Sequence, residues 1–294
     1  MARTPILVTG MHRSGTTWVG RILTASREAV YLHEPLNPLL APQLLGLRIE
    51  RQYLYITQED ENGFPEAYRR LLGFPLGAAR VERNAAQQLR RAARLAHARV
   101  YGARALLKDP FAVFSIPWFA RRLGAQVVVV VRRPEAVAGS AKRLGWGFDT
   151  RWVLGQPLLM RDRLEPYRAE LEAQPDTLVG QSALLWKIVY GTVRQDAREL
   201  PQITLVRHED LSREPLDGFR RLYGSLGLTF GERSRNAVER TTSASNPPET
   251  DLSVPGSVLV NSEANLESWK TRLTPEEVEL VRAETGELAA ELYS

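Results

Sequence analysis

The 294-residue sequence contains no cysteine, which excludes disulfides, Cys-ligated zinc and thiol catalysis. Lysine is nearly absent: Lys108, Lys142, Lys187 and Lys270 are the only ones, so the net charge of +5 rests mostly on arginine. That excess fits an anionic small ligand and fits equally a compositional bias toward Arg and Ala. No basic run is interleaved with aromatics, which argues against nucleic-acid binding. No segment approaches the ~18 uninterrupted apolar residues of a membrane span. His12, His33, His97 and His208 lack metal-ligand spacing and read as capping, surface or packing residues, so no metal site is expected. Met-Ala-Arg-Thr-Pro leads almost directly into an apolar run, leaving no room for the core of a signal peptide, and the expectation is a cytoplasmic protein.

What is present is an ordinary globular balance, 44% hydrophobic and 25% charged, in a chain long enough for one α/β domain with insertions. The chain is organised around Ile6-Leu7-Val8-Thr9-Gly10-Met11-His12-Arg13-Ser14-Gly15-Thr16-Thr17-Trp18. The apolar run predicts a buried strand, the Gly-to-Gly stretch a loop, and Thr16 the opening of a helix. This is the spacing of a P-loop, whose backbone N–H groups and helix N-terminus form an anion site. Thr16 stands where a Walker loop has its lysine, and the fixed positive charge is Arg13 instead. Such a loop suits a donor with one phosphate and a further anionic group better than a nucleoside triphosphate with Mg²⁺.

Further strands are predicted at Val30-Tyr31-Leu32, Ala105-Leu106-Leu107, 126–131 and 203–206, alternating with helices and giving a parallel sheet of about five strands with helices on both faces. Polar residues come directly after these strands: His33-Glu34-Pro35, Lys108-Asp109-Pro110, Arg132-Arg133-Pro134 and Arg207-His208-Glu209. Ligands of open α/β sheets sit at such strand ends. Glu34 is there either a general base or the partner of an arginine such as Arg13. Arg132 and Ser140, the latter on the next helix, either converge on one phosphate or have structural partners. Proline-broken residues 36–104 and the aromatic-bearing excursion 145–175 read as insertions. Asn84 is expected to cap a helix to about Ala98 whose Arg90, Arg91, Arg94 and Arg99 form a solvated face or line an entrance for anions. Ser243 to Gly256 reads as loop, and Thr274-Pro275-Glu276-Glu277 opens a last helix.

Three of these segments together resemble one family, the sulfotransferases that use 3′-phosphoadenosine-5′-phosphosulfate (PAPS). Arg13-Ser14-Gly15-Thr16-Thr17-Trp18 resembles the 5′-phosphosulfate loop, Lys-Ser-Gly-Thr-Thr-Trp in cytosolic members. Val131-Arg132-Arg133-Pro134 with Ser140 resembles the 3′-phosphate segment, and Val206-Arg207-His208-Glu209-Asp210-Leu211 the Arg-Tyr-Glu-Asp-Leu strand end. The resemblance covers the α/β frame and leaves the insertions unmatched. It implies a P-loop NTPase-like three-layer fold over 1–294, with PAPS held by Arg13, Ser14, Gly15, Thr16, Thr17, Trp18, Arg132 and Ser140.

Two departures bear on mechanism. The Lys-Thr-His segment that carries the catalytic histidine of cytosolic members is here Lys108-Asp109-Pro110, while His33-Glu34-Pro35 resembles the Glu-Pro segment of carbohydrate-type and bacterial members. The late Arg-Lys-Gly triplet that helps hold the 3′-phosphate is missing, although Ser268-Trp269-Lys270 resembles the family segment just after that triplet. The resemblance implies sulfuryl transfer to a hydroxyl or amine of a small-molecule, carbohydrate or lipid acceptor without a metal. Glu34, Arg13 and Lys108 are the expected catalytic residues, with Asp109 and His33 as alternative bases. The competing readings are a P-loop kinase of small molecules and a non-catalytic nucleotide-binding module.

Overall fold

The computed structural model describes residues 4–77, 84–249 and 257–294. Strand β1 (Ile6–Thr9) runs through loop 10–15 into helix α1 (Thr16–Leu23) and returns as β2 (Ala29–His33). The first insertion holds α2 (Ala41–Leu44), α3 (Phe64–Leu72) and α4 (Ala85–Tyr101), the last capped by Asn84 accepting from Gln87 N at 2.9 Å. Then come β3 (Arg104–Lys108), a 3₁₀ turn (Pro110–Ser115), α5 (Ile116–Arg122), β4 (Gln126–Val131) and α6 (Pro134–Leu144). The second insertion carries α7 (Arg151–Leu154), α8 (Pro157–Leu159) and α9 (Arg168–Ala173). Helix α10 (Leu178–Glu199), β5 (Ile203–Arg207), α11 (His208–Arg213), α12 (Pro215–Ser225), α13 (Glu232–Thr242), α14 (Ser262–Leu266) and α15 (Pro275–Tyr293) complete the chain.

All five strands are parallel, in the order β2-β3-β1-β4-β5. Period-two alternation splits the valine run of β4 between the two faces. Val127, Val129 and Val131 join the core under α5, α10 and the insertions, whereas Val128 and Val130 join the core under α1, α12 and α13. Every residue of β1 is buried, as a central strand covered by helices on both faces requires.

The elements differ from the sequence reading mostly at their ends. Between β3 and β4 the chain is a 3₁₀ turn followed by a short α-helix, because Asp109 caps the turn and Pro117 restarts the chain at the N-terminus of α5. Helix α13 has no signal in the hydrophobic pattern, since only Ser234, Val238 and Thr241 of its eleven residues are buried. The loop expected over 243–256 is found as far as Glu249, and its residues 250–256 lie outside the described ones. Among the described residues no helix is long and apolar enough to cross a membrane.

Candidate active site

Sheet register assembles the site. Val8 pairs with Lys108 and Lys108 with His33, so the carboxyl ends of β1, β3 and β2 lie side by side. Asp109 N donates to Val8 O at 3.0 Å and Glu34 N to Lys108 O at 2.7 Å, carrying the ladder one step past the strands. Glu34 itself has φ 46, a left-handed backbone uncommon for a residue other than glycine and away from the extended region that a following proline favours. The result is a carboxylate turned back over the sheet end.

The loop before α1 needs its two glycines. Gly10 has φ 137, and a Cβ there would stand 2.4 Å from Val130 O; Gly15 has φ 100, and its Cβ would stand 2.5 Å from the His208 ring. Arg13 also has positive φ, at 70. Among the described residues no side chain caps α1, so its first N–H groups are open to an anion, and Thr17 is its half-buried hydroxyl in the first turn. Ser14 and Thr16 are buried. The Trp18 ring packs into the body against His208 and Phe219, with its N–H donating to Thr241 Oγ1 at 3.2 Å.

Beside the loop, four guanidinium groups gather, two of them on Glu249 and one, Arg132, within the field of Glu209. Arg13 Nε donates to Ser140 Oγ at 3.0 Å, and its guanidinium lies 5.6 Å from the Trp146 ring centroid. Arg132, 6% exposed, donates to Arg13 O at 3.0 Å and to Asn265 Oδ1 at 2.7 Å, leaving its Nε without a partner among the described residues. Arg143 and Arg272 both pair with Glu249, the former at 2.8 Å. Burial, reinforced by Arg132, Arg143 and Arg272, lowers the pKa of Arg13 to about 10. Arg132 and Ser140 both contact Arg13, the former at its backbone carbonyl and the latter at Nε. The partners of Arg132 are a carbonyl and an amide, not a surface carboxylate.

On the other side of the loop lies a cavity of about 480 Å³ that Arg13, His12 and Glu34 share with aromatic walls from both insertions, Tyr53, Trp146, Phe148 and Trp152 among them. Glu34 pairs here with Lys108, not with Arg13, and its second oxygen accepts from Asn37 Nδ2 at 2.7 Å. Burial works to raise the Glu34 pKa, but the Lys108 charge overrides it and holds the group at about 2. Lys108, only 1% exposed, is pushed down by burial against the pull of Glu34.

The alternative bases fare differently. Asp109 is buried with both oxygens engaged, accepting from Leu36 N at 2.6 Å and Phe111 N at 3.0 Å; it does not line the cavity, and burial raises its pKa to about 7. It is a clamp on the backbone. His33 Nε2 lies 3.9 Å from Glu34 Oε2, and burial followed by Lys108 lowers its pKa to about 4.

Several lining groups lie outside the sequence reading. His12, read there as a capping, surface or packing residue, bonds Tyr53 OH through Nδ1 at 2.5 Å, stacks edge-on against Phe111, and has its pKa lowered by burial to about 4. Asn37, Tyr53, Arg143, Arg272 and Glu249 carry no motif. The one local hint is Asn37, three residues after Glu34 across a proline turn.

The sequence model of the Sulfotransferase family matches residues 5–232. Carbohydrate sulfotransferase 3 of Mus musculus is 27% identical over 172 residues, 56% of this chain and 33% of that protein, so the chain matches about a third of that relative's length. Among solved structures, the sulfotransferase domain of the Synechococcus PCC 7002 olefin synthase has a TM-score of 0.48 at 18% identity, covering 95% of this chain and 94% of that one. Mouse sulfotransferase SULT7A1, solved in complex with PAP, has a TM-score of 0.49 at 12% identity, covering 99% and 87%.

Proposed function

The chain belongs to the sulfotransferase family, and from that premise we propose that it transfers a sulfuryl group from PAPS to a hydroxyl or amine of a small-molecule, carbohydrate or lipid acceptor, releasing adenosine 3′,5′-bisphosphate. The observation that carries this reading is that Glu34, paired with Lys108 at the adjoining ends of β2 and β3, shares a cavity with Arg13, which belongs to a cluster of arginines. We take residues 1–294 as one domain whose insertions supply the acceptor side.

The loop N–H groups, Thr17 and Arg13 would hold the 5′-phosphosulfate. Arg132 and Ser140 would take the 3′-phosphate, with Arg143 and Arg272 in place of the missing Arg-Lys-Gly triplet once Glu249 is displaced. As the acceptor oxygen bonds to sulfur and the bridging S–O bond breaks, negative charge grows on the leaving phosphate and the sulfuryl oxygens. Fixed donors already aimed at those oxygens stabilise it without reorganising. Glu34 takes the acceptor's proton. At a pKa of about 2 it is a weak base in the free protein. Once sulfuryl oxygens compete for the Lys108 ammonium, the charge depressing Glu34 is shared and its basicity rises. Tyr53, Trp146 and Phe148 keep water from the reacting atoms.

Melting curves with adenosine 3′,5′-bisphosphate and with ATP plus Mg²⁺ test the reading. The bisphosphate, in excess chelator, is expected to raise the melting temperature, since ligand at 100 times its Kd adds about 2.7 kcal/mol. A rise with ATP and Mg²⁺ alone would establish the kinase reading.

A further inference from the structure

His12 sits among the reacting groups with a ring nitrogen to spare. It follows Met11 and precedes Arg13 in the loop, and it lines the cavity that Arg13 and Glu34 share. The charges that act on it are those of Glu34, Lys108 and Arg13. Two tyrosines hold this part of the loop. Met11 N donates to Tyr190 OH at 3.3 Å and Tyr190 OH to Val130 O at 2.8 Å, which ties the backbone to β4. His12 Nδ1 meets Tyr53 OH at 2.5 Å. Tyr53 is 1% exposed and is itself bolted across the two insertions: Gln156 Nε2 donates to Tyr53 O at 3.0 Å, and Gln156 Oε1 accepts from Tyr55 N at 2.9 Å. Phe111 packs edge-on against the imidazole, with 4.6 Å between the centroids. The ring is thus oriented from residues 53, 111 and 156 together.

The same contacts fix the tautomer. A buried phenol needs an acceptor for its proton, and among the described residues Tyr53 OH has Nδ1 alone. Nδ1 therefore accepts. Burial, which lowers the His12 pKa to about 4, keeps the ring neutral at ordinary pH. The single ring proton of such an imidazole lies on Nε2. Nδ1 and Nε2 lie on opposite sides of Cε1, so a ring whose Nδ1 is turned to buried Tyr53 turns its Nε2–H away from it. Nε2 makes no hydrogen bond among the described residues. A neutral donor has a particular use beside Arg13 and Lys108: one more full positive charge would lower the basicity of Glu34 further, and a dipole adds stabilisation at little such cost.

We propose that His12 is a further catalytic residue, whose Nε2–H donates to the oxygens of the sulfuryl group as that group passes to the acceptor. The role rests on the sulfuryl-transfer reading. The acceptor oxygen bonds to sulfur, the electron pair of the bridging S–O bond leaves with the phosphate, and the acceptor's proton goes to Glu34. His12 keeps its own proton throughout. The test is the single-turnover breakdown of PAPS with water as acceptor, beside the Kd of adenosine 3′,5′-bisphosphate, which has no sulfuryl group. His12→Gln keeps an N–H near the Nε2 position, whereas His12→Asn keeps a polar group only near Nδ1. His12→Asn is expected to slow breakdown by about 10² to 10³, the loss for one fixed donor, and His12→Gln by less than about tenfold. Bisphosphate affinity stays unchanged in both, which also shows that the variants are folded. Ring-nitrogen NMR, with the His12 signals assigned by their loss in His12→Gln, should find the proton on Nε2 in the parent and spread over both nitrogens in Tyr53→Phe, with slower breakdown. The proposal is overturned if the Asn and Gln variants slow equally, if bisphosphate affinity falls in step with the rate, or if the parent carries the proton on Nδ1. A parent that neither binds the bisphosphate nor breaks down PAPS overturns the sulfuryl-transfer reading and this role with it. A parent that does both, beside an unimpaired His12→Asn, overturns the role of His12 alone.

Discussion

The two sides of loop 10–15 are built from different materials. Toward β4 and α6 the loop faces guanidiniums held by specific partners, Arg132 on Asn265 and Arg143 and Arg272 on Glu249. Toward the insertions it faces rings, with one lysine–carboxylate pair at the edge. Fixed charge suits a donor whose anionic groups never change. An aromatic cavity is specified by shape, and shape is what insertions vary most freely on a constant frame. The contrast implies that substitutions on one side move donor affinity and those on the other move turnover or acceptor affinity.

Glu34 offers the sharpest way to break that division. Glu34→Gln keeps the shape and the link to Asn37 but cannot accept a proton, so turnover is expected to fall by about 10² to 10⁴ with bisphosphate affinity nearly unchanged. A larger change in donor affinity than in turnover would make the residue a counter-ion of the donor side. The same residue gives a pH signature. Its pKa is lowered from 4.5 to about 2 on folding, so its contribution to stability is present above 4.5 and is lost as pH falls toward 2. The melting difference between parent and Glu34→Gln is expected to shrink across that window.

Asp109 ties the cavity side together from below, accepting from Leu36 N at the start of the first insertion and from Phe111 N in the cavity wall. Asp109→Ala leaves two buried N–H groups unpaired, at about 1 to 3 kcal/mol each. The melting temperature should drop and the acceptor KM rise, while kcat and bisphosphate affinity hold. A collapse of kcat in protein that remains folded would restore Asp109 as a base.

On the donor side, Arg132→Ala is expected to weaken adenosine 3′,5′-bisphosphate about tenfold to a hundredfold, the value of a charge-assisted phosphate contact of roughly 1.5 to 3 kcal/mol. Adenosine 5′-phosphate, which lacks the 3′-group, should lose far less. Equal losses for both would make Arg132 a prop for the Arg13 carbonyl and nothing more.

Legibility in the sequence divides along the same line. Arg13, Thr17, Arg132 and Ser140 lie in short segments at strand ends, where backbone geometry fixes what a residue can do, so local spacing announces them. The cavity joins residues from 37, 53, 111 and 146–152, and no local pattern records that they meet. The pairing of Glu34 with Lys108 is open in the sequence for a related reason: it depends on the β2–β3 register, which puts His33 beside Lys108 across a strand adjacency that the sequence order does not dictate. Arg272 is invisible there because its role comes from packing near Gly139, where an added Cβ would meet Trp269 at 3.2 Å and Arg272 Cβ at 3.6 Å.

Glu249 gives the smallest and most discriminating test. It is one third exposed, and it neutralises Arg143 and Arg272 where the family's triplet is missing. If its carboxylate stands in for the 3′-phosphate, the donor must displace it, and part of the binding free energy is spent on breaking ion pairs worth about 0.5 to 1 kcal/mol at such exposure. Glu249→Gln should therefore tighten adenosine 3′,5′-bisphosphate about twofold to fivefold and leave adenosine 5′-phosphate unchanged. It should also lower the melting temperature of the free protein slightly, because the repulsion of Arg143 and Arg272 on Arg13 is then no longer offset by Glu249. Weaker bisphosphate binding would mean instead that Glu249 positions the two arginines for the phosphate, and that the donor enters a site already formed.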